Sequence, residues 1–108
     1  MAREAIGLTE KQFEGQMREL AKLFGWLYYH TWRSIHSPAG FPDIVMVKPP
    51  RIIFAELKSY KGKVSDKQQE WLDTLKQCPN LEVFLWRAEE ESLEEIAEIL
   101  RQPTSAVD

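Results

Sequence analysis

Hydrophobic positions change their spacing along the chain, and each spacing predicts one type of element. Between Thr9 and Gly25 the apolar positions recur every three or four residues, as they do on one face of an α-helix. Thr9 is a suitable N-cap, and Gly25 stands where a C-terminal cap belongs. The pattern therefore predicts an amphipathic helix. Its apolar face consists of Phe13, Met17, Leu20, Ala21 and Phe24.

Three runs rich in aromatic and β-branched residues follow, and this composition favours β-strands. They cover residues 26–32, 44–47 and 52–58. The second and third runs are apolar on both faces, which is typical of central strands covered on both sides. Pro49 and Pro50 form a tight connection between them, and residues 33–41 predict an exposed loop.

The second half of the chain predicts a basic loop, a helix, a strand, an acidic helix and a frayed tail. The loop covers residues 60–64. Ser65 caps the helix, which carries Gln68, Trp71, Leu72 and Leu75 on one side. The strand covers residues 81–86, the acidic helix residues 89–100 and the tail residues 102–108. The order helix, three strands, helix, strand, helix predicts an α/β sandwich around a mixed four-stranded sheet. At 108 residues the chain is expected to be one domain, 1–108, with its core at about 9–101.

Composition excludes several classes of protein. With 44% hydrophobic and 29% charged residues, the chain is a soluble globular protein, and no apolar run approaches the roughly 20 residues of a membrane span. The N-terminus lacks the apolar core of a signal peptide, so we expect a cytoplasmic location. The single cysteine, Cys78, excludes an intramolecular disulfide and a thiolate cluster for zinc.

The net charge of −3 is unevenly distributed. Residues 30–68 carry seven Lys or Arg against three Asp or Glu, whereas residues 69–108 carry three against ten. A basic excess in the middle segment is what a surface that binds a polyanion requires, although a solvated charged face gives the same count.

Two acids and a lysine mark the ends of the predicted central strands. Glu56 and Lys58 project on one side of their strand, separated by roughly 7 Å. If residues 44–47 and 52–58 pair as a hairpin, Asp43 converges on Glu56. Two carboxylates and a main-chain carbonyl, such as that of Leu57, form a hard oxygen site suited to Mg²⁺ or Mn²⁺.

A divalent ion at this position would bind a phosphate and activate water, which predicts phosphodiester hydrolysis. Lys58 can orient or deprotonate the water, or stabilise the charge that develops on the phosphate. The alternative is structural, because an Asp before a strand is often a turn residue and a Glu-x-Lys pair is often a solvated ion pair. Gly40 permits close passage of the backbone in the loop before Asp43.

Three segments in this order resemble a known family. Gly40-Phe41-Pro42-Asp43, Phe54-Ala55-Glu56-Leu57-Lys58 and Gln68-x-x-Trp71 are similar to the motifs of the PD-(D/E)xK nuclease superfamily, and specifically to small stand-alone VRR-type nuclease domains of phages and bacteria. The resemblance covers about Thr9 to Leu100. It implies a restriction-endonuclease-like fold related to Holliday junction resolvases. It also implies an Mg²⁺- or Mn²⁺-dependent endonuclease that acts as a homodimer on branched DNA, such as four-way junctions, in the bacterial cytoplasm.

The resemblance also implies a role for each site residue. Asp43 and Glu56 would be metal ligands together with the Leu57 carbonyl, Lys58 the catalytic lysine and Gln68 a residue that organises the site. The resemblance also implies a further glutamate on the first helix, near the metal, as a catalytic residue and metal ligand. Glu10 is the candidate because it lies on the same line of the helix as Phe13, Met17, Leu20 and Phe24. Glu14, one turn later, is the alternate.

Polar and basic residues around these motifs are candidates for contacts with DNA phosphates. Three belong to the loop before Asp43 and three follow the site on a Gly-containing loop and the next helix, namely Arg33, His36 and Ser37, then Lys61, Lys63 and Lys67. Two other functions remain open at this stage. One is a non-catalytic DNA-binding module of the same fold, and the other is a protein-docking role for the acidic helix at 89–98.

Overall fold

The structure is a computed structural model, and it describes residues 8–32 and 35–103. Its elements follow the predicted order, and none of the described helices is long and apolar enough to cross a membrane. The elements are α1 (Glu10–Leu23), β1 (Leu27–His30), β2 (Ile44–Lys48), β3 (Arg51–Lys58), α2 (Asp66–Lys76), β4 (Glu82–Arg87) and α3 (Glu90–Arg101).

The four strands form one mixed sheet in the order β1-β2-β3-β4, which confirms the predicted fold class. The first three strands are antiparallel, and β4 runs parallel to β3. The β2–β3 hairpin pairs Ile44 with Ala55, so the residue before β2 lies beside the last residues of β3. This register brings Asp43 to the end of the strand that carries Glu56 and Lys58.

The main core lies between one face of the sheet and helices α1 and α3. Alternate residues of the two central strands point into it, and Ile44, Met46 and Ile53 are fully buried there. Phe13 and Met17 of α1 join them with no exposed surface. The helix side of this core also contains Ala21, Ile96 and Leu100.

The other face of the sheet is covered less completely. Phe41 makes edge-to-face contacts with Phe54 of β3 and Trp71 of α2, with ring centroids 6.1 Å and 5.0 Å apart. Val45 and Val47 of β2 remain partly exposed because α2 packs toward β4. β2 is a central strand as predicted, but this face of it is only partly buried.

The first strand is shorter than the predicted run 26–32. Trp26 belongs to the core instead of the strand, where its indole N–H donates to the Leu100 carbonyl at 3.0 Å. Trp32 lies beyond the end of the strand and is 78% exposed. The aromatic composition of the run favoured a longer strand, but one indole bonds to α3 and the other lies in solvent.

The basic surface predicted from the charge count is too large, because Arg51 does not contribute to it. Arg51 is buried, forms two 2.7 Å bonds to the Glu82 carboxylate and donates to the carbonyls of Ile99 and Gln102 at 3.0 and 2.8 Å. Lys48 donates to the Phe24 carbonyl just after α1. Both residues lie at the end of the β2–β3 hairpin far from Asp43, so the basic surface near the candidate site is narrower than the linear count predicts.

Gly40 fixes the loop that leads to Asp43. Its φ of +102° lies in a region that L-residues with a side chain rarely adopt. A Cβ at this position would lie 2.6 Å from the Lys67 carbonyl oxygen, closer than van der Waals contact allows. The loop therefore packs backbone to backbone on the first turn of α2.

Gly40→Ala is expected to lower the free energy of unfolding by about 1–3 kcal/mol, because it introduces both backbone strain and a clash. Chemical denaturation measures this change. Gly15→Ala is the matched control, since a Cβ at this helical position meets nothing within 4 Å and should stabilise the fold by about 0.5–1 kcal/mol. Equal effects of the two substitutions would contradict the packing described for Gly40.

Candidate active site

Asp43 directly precedes β2, and its side chain adds one hydrogen bond to β3 beyond the backbone pairing of the two strands. The Asp43 carboxylate accepts a hydrogen bond from the Leu57 N–H at 2.8 Å, and its backbone carbonyl accepts one from Thr31 at 2.7 Å. In a strand, the N–H and C=O of one residue point to the same side, so the Leu57 carbonyl also faces Asp43. The predicted grouping of these two residues is present in the structure.

Glu56 is the most deeply buried carboxylate of the site, with 1% of its surface exposed. Oε2 accepts a hydrogen bond from the Gln68 amide at 2.8 Å, while Oε1 has no partner among the described residues. Burial raises the pKa of Glu56 to about 8, the nearby Asp43 and Glu10 charges act in the same direction, and Lys58 opposes the shift. The proton that Glu56 then retains allows two carboxyl groups to lie side by side.

Gln68 is oriented by the N-terminus of α2. The Ser65 hydroxyl accepts from the Gln68 N–H at 3.1 Å, and the Gln68 side-chain oxygen accepts from the Ser65 N–H at 2.9 Å. This is a capping box. Because the amide oxygen is used in the cap, the amide nitrogen faces Glu56. The helix start that Ser65 predicts also sets the orientation of a site residue.

Lys58 and Glu10 complete the cluster from two sides. Lys58 Nζ lies 3.9 Å from Glu56 Oε2, and only 15% of the lysine side chain is exposed. Glu10, at the start of α1, accepts a hydrogen bond from the Ser59 N–H at 3.0 Å. It is also close enough to raise the pKa of Glu56.

Glu14 has a different set of partners. Arg18 donates to both of its oxygens at 3.0 Å, and the Tyr28 hydroxyl donates to one of them. Burial and the Glu14 carboxylate raise the pKa of Tyr28, which keeps this donor protonated. His30 lies 4.0 Å from the same carboxylate. Glu14 is therefore held between α1 and β1.

The predicted phosphate contacts lie in solvent-exposed segments. Lys61 and Lys63 are exposed in the turn after β3, and Lys67 is exposed on α2, 4.0 Å from Glu70. His36 and Ser37 are exposed in the loop that leads to Asp43. Arg33 lies outside the described residues.

The oxygen ligands fit a hard divalent cation that keeps part of its water shell. Within residues 8–32 and 35–103, no group of three or more His, Cys, Asp or Glu side chains is arranged to hold a metal ion. Mg²⁺ is commonly bound through only one or two carboxylates plus waters. Asp43, Glu56 and the Leu57 carbonyl match that pattern, and the buried Glu56 Oε1 without a donor is an oxygen that a cation would satisfy.

Two contacts near the site could not be found by motif. Arg87, at the end of β4, donates to the carbonyls of Ser59 and Gly62 at 3.3 and 2.5 Å. Ser59 in turn holds Glu10 through its N–H. The parallel pairing of Lys58 with Arg87 joins strands that are far apart in sequence, and no local pattern indicates it.

Comparison with known proteins gives one family and one fold. The profile of the VRR-NUC domain matches residues 21–90. A search of curated proteins finds no match. Among the solved structures that match is Hjc, a Holliday junction resolvase of the archaeal hyperthermophile Archaeoglobus fulgidus, with a TM-score of 0.60 and 18% identity over 83% of this chain and 98% of that one. At this identity the likeness concerns the fold.

The raised pKa of Glu56 predicts how the metal-free protein responds to pH. A carboxyl group with a pKa of 4.5 when exposed and about 8 when folded stabilises the fold fully below pH 4.5 and loses this contribution as the pH rises to 8. In EDTA, the free energy of unfolding of the parent should fall relative to that of Glu56→Gln, by at most about 1.4 kcal/mol per pH unit. Denaturation at pH 5 and 8 measures the difference. Parallel pH dependences would contradict the shift.

Proposed function

The chain belongs to the VRR-NUC domain family, and on that premise we propose that it is a metal-dependent endonuclease that hydrolyses phosphodiester bonds in branched DNA. The observation that carries the proposal is the convergence of Asp43, Glu56 and Lys58 at one end of the sheet. A buried carboxylate beside a second carboxylate, with one oxygen that has no partner in the described part of the chain, is costly for a structural site. It is suited to a cation.

In this proposal Asp43, Glu56 and the Leu57 carbonyl hold Mg²⁺ or Mn²⁺. When bound, such a cation neutralises the carboxylates, binds phosphate oxygens and makes a bound water more acidic. Gln68 keeps Glu56 in position through its 2.8 Å hydrogen bond, and the Ser65 cap keeps Gln68 itself fixed. The chain therefore supplies a preorganised acceptor set before any substrate arrives.

Lys58 is the residue that we propose acts on the substrate. Its ammonium group lies beside Glu56 and keeps some exposure, so a phosphate at the carboxylates would be within reach. There it orients the attacking water or stabilises the charge that develops on the phosphate. A flexible lysine on the surface would do neither well, whereas this one is largely enclosed.

We propose Glu10, and not Glu14, as the acid of the first helix. The hydrogen bond from Ser59 ties Glu10 to the residue after Lys58, and its charge acts on Glu56. Glu14 is engaged by Arg18 and Tyr28 instead.

The branched substrate and the dimer are also proposals. The similar archaeal structure is named as a Holliday junction resolvase, which supports junction DNA as the substrate class. Lys61, Lys63 and Lys67 are exposed next to the site and suit phosphate contacts, and His36, Ser37 and Arg33 belong to the loop on the other side. A homodimer would place two active sites on a two-fold symmetric four-way junction. A single chain of 108 residues has little surface to cover such a substrate.

Conservative substitutions at the site test catalysis. Asp43→Asn, Glu56→Gln and Lys58→Met should each reduce the cleavage rate by about 100-fold or more, because each removes a ligand or the charge at the phosphate. The assay compares single-stranded, duplex, flap and four-way-junction DNA with Mg²⁺ or Mn²⁺.

Glu94→Gln, an exposed change on α3, is the matched control and should cleave like the parent. Unchanged cleavage by the three site variants would show that the assignment is wrong. A parent protein that binds DNA without metal-dependent cleavage would support the alternative, a non-catalytic DNA-binding module.

Metal binding has a test that needs no DNA. Mn²⁺ should raise the melting temperature of the parent, since a ligand at 100 times its Kd stabilises a fold by about 2.7 kcal/mol. Asp43→Asn and Glu56→Gln should lose this response while remaining folded without metal. Thermal unfolding in EDTA and in Mn²⁺ measures it, and an equal response in both variants would place the metal elsewhere.

A further inference from the structure

Arg87 is the last residue of β4. It lies directly beside Lys58, since the two residues are register partners on the parallel strands β3 and β4. One guanidinium nitrogen of Arg87 donates to the Ser59 carbonyl at 3.3 Å and to the Gly62 carbonyl at 2.5 Å. The Gly62 N–H also donates to the Ser59 carbonyl, at 3.1 Å. A single half-buried arginine therefore closes the turn that follows Lys58.

This turn lies against the side chain of Lys58. A Cβ at Gly62 would lie 3.4 Å from Lys58 Cδ and 2.9 Å from the Ser59 hydroxyl, so the backbone of the turn backs onto the lysine stem. A lysine has four rotatable bonds, and their freedom opposes any one position of the ammonium. Contact with the turn on one side restricts the stem, and on the other side the ammonium lies 3.9 Å from Glu56 Oε2.

Charge acts in the same direction as packing. Opposite residues of paired strands point to the same face, so the cations of Arg87 and Lys58 start from adjacent positions and repel each other. The Arg87 guanidinium is held by two carbonyls, whereas the Lys58 ammonium lies 3.9 Å from a Glu56 oxygen. Repulsion from a fixed arginine therefore favours the position of Lys58 near the carboxylates.

We propose that Arg87 is a positioning residue that holds Lys58 at the site through the Ser59–Gly62 turn. The inference rests on the proposed function, because it assigns the rate effect of Arg87 to the catalytic lysine. A guanidinium is suited to the task, since the nitrogen that bonds to both carbonyls is one bond further from the backbone than a lysine ammonium and is held in a rigid plane.

Steady-state cleavage of junction DNA separates positioning from a direct contact with phosphate. Arg87→Met should lower kcat by about 10- to 100-fold, the scale expected for a displaced catalytic group, with KM little changed. Arg87→Lys keeps the charge and should not restore kcat. Arg101→Met, at the end of α3, is the matched control and should behave like the parent. A raised KM that Arg87→Lys restores would overturn the inference in favour of a phosphate contact.

A double-mutant cycle with Lys58→Met shows whether Arg87 acts through the lysine. In the Lys58→Met background, Arg87→Met should cause no further loss of kcat, because the group that it positions is already absent. Additive losses would overturn the inference.

Amide hydrogen exchange gives a readout that requires neither DNA nor cleavage. The Gly62 N–H is bonded within the turn, so its exchange should be faster in Arg87→Met and Arg87→Lys than in the parent, with α1 and β2 unaffected. Unchanged Gly62 exchange overturns the inference whether or not the protein cleaves DNA. A parent that shows no metal-dependent cleavage overturns the proposed function instead, so the two failures are distinguishable.

Discussion

The hydrogen bond from the Leu57 N–H to the Asp43 carboxylate is the contact on which the candidate site depends. The hairpin register pairs Ile44 with Ala55, so its next hydrogen-bonded step would pair residue 42 with Leu57. Residue 42 is a proline, which has no N–H to donate. The Leu57 carbonyl therefore receives no hydrogen bond from residue 42 and keeps its acceptor capacity for another ligand, while the Leu57 N–H donates to the Asp43 side chain.

The cost of the arrangement falls on Glu56. Burial beside another carboxylate destabilises its charged form, as the pKa of about 8 shows. The Gln68 hydrogen bond and the Lys58 charge offset part of this cost but leave one oxygen without a donor among the described residues. A protein stabilised only for its fold would place an apolar residue here. This unfavourable burial of a carboxylate is understandable if a divalent cation occupies the site during function.

Sequence patterns predicted those features that depend on neighbours along the chain. The caps at Thr9 and Ser65 and the alternation that places Glu56 and Lys58 on one face are local, and so is the two-proline connection of the β2–β3 hairpin. What joins distant segments was not predictable. The partners of Arg51 and Arg87 come from β4 and from segments beyond β3, and the linear charge count therefore treated a buried, paired arginine as part of a binding surface. The choice between Glu10 and Glu14 likewise depended on how α1 packs beside Tyr28 and the end of β3.

Arginines at the two ends of β3 perform different tasks with the same chemistry. At the start of the strand, the Arg51 guanidinium lies over the Trp26 ring, 4.9 Å from its centroid. Arg51 also bonds to Glu82 and to carbonyls near the end of α3, which ties that helix to the sheet. At the other end of β3, the Arg87 guanidinium bonds to two carbonyls of a short turn and to no carboxylate among the described residues. Arg51 pairs its charge with the Glu82 carboxylate, whereas the described partners of Arg87 are backbone carbonyls. The Arg87 guanidinium instead holds the backbone of the turn that contacts the Lys58 side chain, and the same turn carries the exposed residues Lys61 and Lys63.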